Sequence, residues 1–111
     1  MNKDTYINLL KSLQIPINEG IQNDNDKDVY PRIVFWEMAW DPITSSDDVY
    51  ETKVTYQTSF FSRNPRDLKL LELRNKLFDN KIYPTIYHEY IEESDYFHSY
   101  FSIELLENIN E

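Results

Sequence analysis

The sequence predicts an α+β domain in which a mainly antiparallel sheet of about four strands packs against two helices, in the order α-β-β-α-β-β. Apolar residues recur with helical spacing in two segments and follow strand-like patterns in four others. The strand segments come in adjacent pairs, which favours antiparallel pairing. A chain of 111 residues can bury one core but not two, so we expect a single domain over residues 1–111.

The first predicted element is a helix over residues 2–13. Its apolar stripe occupies positions i, i+3, i+4 and i+7, which are Tyr6, Leu9, Leu10 and Leu13. Asn2 or Asp4 can cap the first turn. Pro16 ends the helix, because the residue before a proline is pushed towards extended geometry.

Residues 17–30 predict a loop in which Gly20 permits a turn. The polar, acidic part of this loop, residues 22–29, is expected to be mobile. Its alternating aspartates, Asp24, Asp26 and Asp28, loosely match a calcium-binding loop. The match fails at the sixth position, which is Val29 instead of glycine, and at the twelfth, which is Phe35 instead of glutamate. We therefore interpret the segment as a solvated loop.

Two long strands are predicted next, joined by a turn. Pro31 opens the first strand, 31–40, whose apolar residues fall on both faces, as in the middle of a layered fold or at an interface. Residues 41–48 are rich in Asp and Ser and predict the turn. The second strand, 49–61, has apolar side chains on one face and polar ones on the other, so the polar face is expected to meet water or a polar partner.

The second helix is predicted over residues 65–79. Asn64 is the expected N-cap, Pro65 suits the first helical turn, and Asp67 suits the positive end of the helix. Its apolar stripe is formed by Leu70, Leu73 and Leu77. The helix should end near Asn80, which tolerates a left-handed conformation.

A closing β-hairpin is predicted from residues 85–92 and 95–105, with a two-residue turn at Glu93-Ser94. That register sets three pairs opposite each other on the face expected to meet the core: Tyr90–Phe97, His88–Ser99 and Ile86–Phe101. The other face collects aromatic and charged residues: Tyr87, Glu89, Ile91, Tyr96, His98 and Tyr100. The polar tail, 107–111, is expected to fray.

No group of residues predicts catalysis. The absence of cysteine excludes disulfides, thiol catalysis and zinc–thiolate sites. His88 and His98 fall on opposite faces in the two-residue register, whereas a three-residue turn would set them opposite each other. Even then, two histidines and a carboxylate are not a closed zinc set. We therefore expect no enzyme activity, no metal site and no cofactor.

Net charge and hydropathy limit the partners. Eleven Lys and Arg against twenty Asp and Glu give a net charge of −9, which disfavours direct binding to nucleic acid. The charge can keep the protein soluble, or it can form a surface that repels or imitates DNA. The longest strongly apolar run, residues 33–36, is far too short for a membrane helix, and the N-terminus lacks a signal pattern. We expect a soluble protein made in the cytosol, with no membrane contact.

The aromatic content, 15% of the chain, is high. Part of it must serve the core, but Tyr and Trp also concentrate at protein–protein interfaces. Four aromatic residues are therefore interface candidates: Trp40, Tyr87, Tyr96 and Tyr100.

The order of the predicted elements and the residue composition of several segments resemble those of a known group of phage proteins. The features are a short N-terminal helix, the sequence Tyr-Pro-Arg-Ile-Val-Phe at 30–35, a turn rich in Ser and Asp at 41–48, a long strand at 50–62, a helix at 65–79 and a closing hairpin. Over residues 1–106 the chain resembles the small neck and tail-completion proteins of long-tailed bacteriophages, especially the tail-terminator group.

This resemblance implies a structural virion protein that assembles in the host cytoplasm. Such proteins form a six-fold ring that stops growth of the tail tube and joins it to the head. The implied partners are other copies of the chain, the tail-tube protein and a head-completion or neck protein, while DNA passes through without specific binding. The resemblance makes the acidic residues of two loops, 22–29 and 41–48, candidates for tube or neck contacts. In the second loop these are Asp41, Asp47 and Asp48.

Three other functions are compatible with the sequence. A head-completion protein of the neck would show the same features. An acidic DNA mimic that inhibits a DNA-binding protein fits the net charge and small size. Interspersed basic residues argue against the mimic because they interrupt the negative field: Lys53, Arg63, Arg66, Lys69, Arg74, Lys76 and Lys81. An immunity or adaptor module is also compatible with the residues.

Overall fold

The computed structural model describes residues 1–21, 24–46 and 48–109, with the backbone alone for residues 45, 49 and 50. It contains two helices and five strands. In chain order these are α1 (Lys3–Lys11), β1 (Ile17–Glu19), β2 (Arg32–Ser45), β3 (Asp48–Ser62), α2 (Leu68–Asp79), β4 (Tyr87–Ile91) and β5 (Tyr96–Glu107). The predicted α+β class is confirmed.

The sheet has five strands rather than four, and its order is β1-β2-β3-β5-β4. The additional strand, β1, lies in the segment predicted as a loop and pairs in parallel with β2, opposite residues 33–35. All other pairs are antiparallel. Three residues are too few to show a strand pattern in the sequence, and only the pairing with β2 makes them a strand.

The core lies between the two helices and one face of the sheet. Tyr6 of α1 is fully buried and packs edge-on against Phe35, while its hydroxyl lies 2.6 Å from the hydroxyl of Thr58. The other fully or nearly fully buried apolar residues of this core are Leu10, Leu13, Ile33, Val54, Tyr56, Phe60, Leu70, Leu73, Leu77, Phe101, Ile103 and Leu105. Both helices therefore cover the same face of the sheet.

Both helices are shorter than predicted: α1 at both ends, and α2 at its start. Asn2 caps α1 by accepting a hydrogen bond from the backbone N–H of Thr5 at 2.9 Å, as predicted, but α1 ends at Lys11. In α2 the N-cap is Asp67 instead of Asn64, because Arg66 adopts a left-handed conformation that no helix can continue through. Asn80 is the C-cap of α2, and the left-handed position comes one residue later.

The largest difference concerns the predicted turn at 41–48. Strand β2 continues to Ser45 and β3 begins at Asp48, so Asp41 and Pro42 lie within a strand. Pro42 is tolerated because β1 pairs only with residues 33–35, which leaves the rest of β2 at the edge of the sheet. Asp47, which was predicted to lie in this turn, is outside the described residues.

The distal part of the β2–β3 hairpin projects beyond the sheet. The last pair between β3 and β5 is Thr52–Glu107, whereas β2 and β3 pair to Ser45–Asp48. Residues 43–46 and 48–51, which we call the β-arm, therefore have no third strand beside them within the described part of the chain. The molecule is correspondingly elongated, with principal extents of 52 × 29 × 23 Å.

Two of the three predicted pairs of the β4–β5 hairpin are formed. Tyr90 pairs with Phe97 and His88 with Ser99, although the connection spans residues 92–95 instead of two residues. His88 and His98 therefore lie on opposite faces of the sheet. The third predicted pair, Ile86–Phe101, is not formed in the described sheet, because β4 begins only at Tyr87.

The two segments predicted to be mobile or frayed contain ordered contacts. Glu107 belongs to β5, and its carboxylate accepts hydrogen bonds from the hydroxyl of Tyr56 at 2.6 Å and from the backbone N–H of Lys3 at 2.8 Å. Residues 110 and 111 are outside the described residues. In the acidic loop, residues 24–28 form turns, and the side chain of Asp26 accepts a hydrogen bond from Asn18 at 3.2 Å. Residues 22 and 23 are not described.

Candidate protein-interaction surfaces

The face of the sheet opposite α1 and α2 carries neither helix. The strand register builds rows of side chains across it. One row runs Arg32, Phe61, His98 and Glu89, and the next runs Val34, Ser59, Tyr100 and Tyr87. We call this side the open face.

An aromatic strip crosses the open face. Its members are Tyr30, Arg32, Phe61, Tyr87, Tyr96, His98 and Tyr100. The rings of Phe61 and His98 stack at 4.9 Å with 8° between their planes, and Tyr87 stacks on Tyr100 at 5.6 Å. The guanidinium of Arg32 lies over the ring of Phe61 at 4.4 Å. Ring–ring and cation–π contacts of this kind hold the strip together.

Hydrogen bonds fix the centre of the strip. His98 Nδ1 lies 2.9 Å from Glu89 Oε1, and His98 Nε2 lies 2.8 Å from Ser59 Oγ. Ser59 and Thr55 are buried on the face that was predicted to meet water or a polar partner. Ser59 has its polar partner within the fold, and the other polar residues of this face of β3 are half-exposed.

Three predicted interface residues are brought together in the strip. Tyr87 and Tyr100 are direct neighbours, and Tyr96 contacts Phe61 at 5.6 Å between ring centroids. Tyr87 is 57% exposed, which leaves one of its ring faces open. The alternating pattern of the hairpin therefore located this cluster correctly.

Trp40 does not belong to the strip. It pairs with Val54, whose side chain lies in the core, so Trp40 lies on the helix side of the sheet. It is 59% exposed, and its Nε1 donates to Glu37 Oε1 at 3.3 Å. Trp40 and the strip are on opposite faces and belong to two separate surfaces.

The β-arm and the edge strand that leads to it form the second surface. Met38 is 52% exposed next to Trp40, and Ile43 is 38% exposed at the base of the arm. Asp41 and Asp48 are exposed, and within the described residues neither carboxylate forms an ion pair. Asp47 cannot be assigned to this surface because it is outside the described residues.

A third surface was not predicted. A groove of about 480 Å³ lies between α2 and β4 and is lined by Arg66, Leu70, Leu71, Arg74, Pro84, Ile86 and His88. We call it the α2–β4 groove. Its apolar floor contains Leu71, which is 40% exposed, and no Asp or Glu lines it. The sequence contains only one indication, two arginines eight residues apart in and before a leucine-rich helix.

No protein-family model matches the chain, and no curated protein sequence matches it either. Neither α1 nor α2 is long and apolar enough to cross a lipid bilayer. The observations that bear on function are therefore the three surfaces themselves: the aromatic strip, the acidic β-arm and the basic α2–β4 groove.

Proposed function

We propose that this protein is a structural virion protein of a long-tailed bacteriophage, a tail terminator whose copies form a ring that stops tail-tube growth and joins the tube to the head. The β-arm supports this most directly. It is a two-stranded extension with exposed apolar and acidic residues, and isolated ribbons of this kind are marginally stable in water. Such an extension is expected to be stabilised by a neighbouring protein.

Two different unpaired strand edges on one subunit favour assembly into a ring. Within the described sheet, the edge of β2 beyond Phe35 lacks a partner strand, and β5 beyond Tyr100 lacks one on the opposite side. Contacts between unlike surfaces are heterologous, and they close into a ring when the rotation between neighbours permits it. Unpaired edges and exposed aromatic side chains are features that subunit contacts use.

The net charge of −9 suits a ring through which DNA passes. An acidic wall repels the phosphate backbone, so DNA is conducted without specific binding. The remaining partners are then proteins: the tail-tube protein on one side and a head-completion or neck protein on the other. Assembly takes place in the host cytoplasm, and the protein ends in the virion.

Sedimentation equilibrium over a wide concentration range tests the ring. We expect a discrete species of six subunits of 13.5 kDa at high concentration, in equilibrium with monomer at low concentration. A chain that stays monomeric at every concentration, or stops at a dimer, would contradict the proposal.

The position in the virion needs a separate test. Purified rings mixed with tail tubes of the same phage are expected to bind at tube ends and to block further growth of the tube. Binding to filled heads without binding to tubes would instead assign the protein to head completion.

A further inference from the structure

We infer that neighbouring copies in the ring contact each other through the β-arm of one copy seated in the α2–β4 groove of the next. This inference deepens the proposed function and rests on it. The occupant of the groove is therefore a second copy of this chain, and the groove and the arm are the two halves of one heterologous interface.

The arm and the groove carry opposite charges. The arm and its base carry Asp41, Asp48 and Glu51, and none of these forms an ion pair within the described residues. In the groove, Arg66 and Arg74 likewise form no ion pair there. Unlike potentials attract the arm to the groove, while like charges keep two arms or two grooves apart.

The arm and the groove both carry apolar surface. Ile43 on the arm is exposed, and the groove has an apolar floor in which Leu71 is exposed and Pro84 and Ile86 are half-buried. Seating the arm removes both apolar surfaces from water at once. The charged groups remain at the rim, as in typical interfaces with an apolar centre and a polar edge.

The arm and the groove of one subunit lie far apart in the fold. His88 at the groove pairs with Ser99, which pairs with Phe60 on β3. The arm begins beyond Thr52, eight residues further along the same strand, which is roughly 27 Å at about 3.4 Å per residue. An arm therefore does not reach its own groove, and its partner must be the groove of another copy. A head-to-tail contact of this kind is the type that closes into rings.

Paired charge reversals test the contact. The groove variant carries Arg66→Glu and Arg74→Glu, and the arm variant carries Asp41→Lys and Asp48→Lys. All four side chains are exposed, so both variants are expected to fold. Each variant alone should be monomeric at concentrations where the wild type is hexameric, because in each the arm and the groove carry the same sign.

Mixing the two variants gives the sharpest result. The acidic arm of the groove variant fits the basic groove of the arm variant, and the basic arm of the arm variant fits the acidic groove of the groove variant. Only alternating rings avoid repulsion, so native mass spectrometry is expected to find hexamers with three copies of each variant. Hexamers with random composition, or no hexamers in the mixture, would overturn the inference.

A matched control reverses two other cations of the same region, Lys76→Glu and Lys81→Glu. These side chains do not line the groove, and the change in net charge equals that of the groove variant. The control is expected to form hexamers alone. Loss of hexamers in the control to the same degree as in the groove variant would attribute the effect to net charge and overturn the inference.

Cross-linking distinguishes failure of this inference from failure of the ring. Because the chain has no native cysteine, Ile43→Cys and Leu71→Cys introduce the only thiols. A mixture of the two single variants is expected to form disulfide-linked dimers, and the double variant a ladder up to six. Rings that form without any 43–71 cross-link would overturn the arm–groove contact and leave the ring standing, whereas absence of any oligomer would overturn both.

Discussion

At the residue scale, the carboxylate of Glu107 joins the end of β5 to the centre of the sheet and to the start of α1. It accepts hydrogen bonds from the hydroxyl of Tyr56 and the backbone N–H of Lys3. Tyr56 is fully buried. Its burial, together with the hydrogen bond to Glu107, raises the pKa of the Tyr56 hydroxyl far above its usual range. Removing the carboxylate therefore leaves a buried donor without its acceptor.

We expect Glu107→Ala to lower the free energy of unfolding by about 1–3 kcal/mol, the usual cost of an unsatisfied buried polar group. The matched control is Glu104→Ala on the same strand. The Glu104 carboxylate is exposed and lies 3.8 Å from Lys53 Nζ, so its loss should cost less than about 1 kcal/mol. Urea unfolding of both variants measures the difference, and equal losses would contradict the role of Glu107.

Tyr6 links stability to alkaline pH. Its burial raises the pKa of the hydroxyl far above the ordinary value of 10, and the hydrogen bond to Thr58 offsets this in part. A raised pKa in the folded state means that stability is complete below the unfolded pKa and is lost as pH rises above it.

We therefore expect the free energy of unfolding to fall steeply above about pH 10, where the unfolded chain ionises its tyrosines. Tyr6→Phe should reduce that slope by about 1.4 kcal/mol per pH unit, since one proton fewer is linked to folding. At neutral pH the same variant loses about 1 kcal/mol, because the Thr58 hydroxyl loses its partner. Urea titrations at several pH values measure both effects, and an unchanged slope would show that Tyr6 does not control alkaline unfolding.

At the scale of elements, the β-arm is separable from the body of the fold. Replacing residues 44–50 by Asn-Gly joins the Ile43–Glu51 pair through a two-residue hairpin turn. The free energy of unfolding should change by less than about 1 kcal/mol, because the described residues among those removed pair with no strand outside this hairpin. Hexamers should be absent. Hexamers that persist in this variant would show that the arm is not a subunit contact.

Sequence patterns predicted the elements whose structure depends on residues close together in the chain. The β4–β5 register follows from strict alternation around a short turn, and the start of α1 follows from Asn2 and a clear apolar stripe. The strand β1 and the continuation of β2 through Pro42 could not be predicted in this way. Both depend on which edge of β2 is covered, and only the assembled sheet decides that.

Among the candidate surfaces, too, only the one built from neighbouring residues of the chain could be predicted. Tyr87, Tyr96 and Tyr100 lie on one face of one hairpin, so alternation alone predicted that they cluster. Trp40 was predicted from its place at the supposed end of a strand, but it lies within β2 on the opposite face. The α2–β4 groove is formed by two elements that are separate in sequence, and no local pattern reveals how they pack.

At the scale of the whole molecule, the negative charge is unevenly distributed. Among the residues that the structure describes, the carboxylates of the arm form no ion pair, whereas the α2–β4 groove and the aromatic strip both contain guanidinium groups. A DNA mimic needs a continuous row of carboxylates, and these guanidinium groups interrupt it. Separate acidic and basic surfaces at opposite ends of an elongated subunit are better suited to head-to-tail association.

Electron microscopy of the protein at high concentration tests the central claim most directly, because it shows symmetry and lumen together. We expect ring-shaped particles with six-fold rotational symmetry and an open centre, and the variant lacking residues 44–50 should show none under the same conditions. Compact two-fold particles without a central opening, or a field of single subunits at every concentration, would contradict the account of this protein as a ring-forming tail terminator.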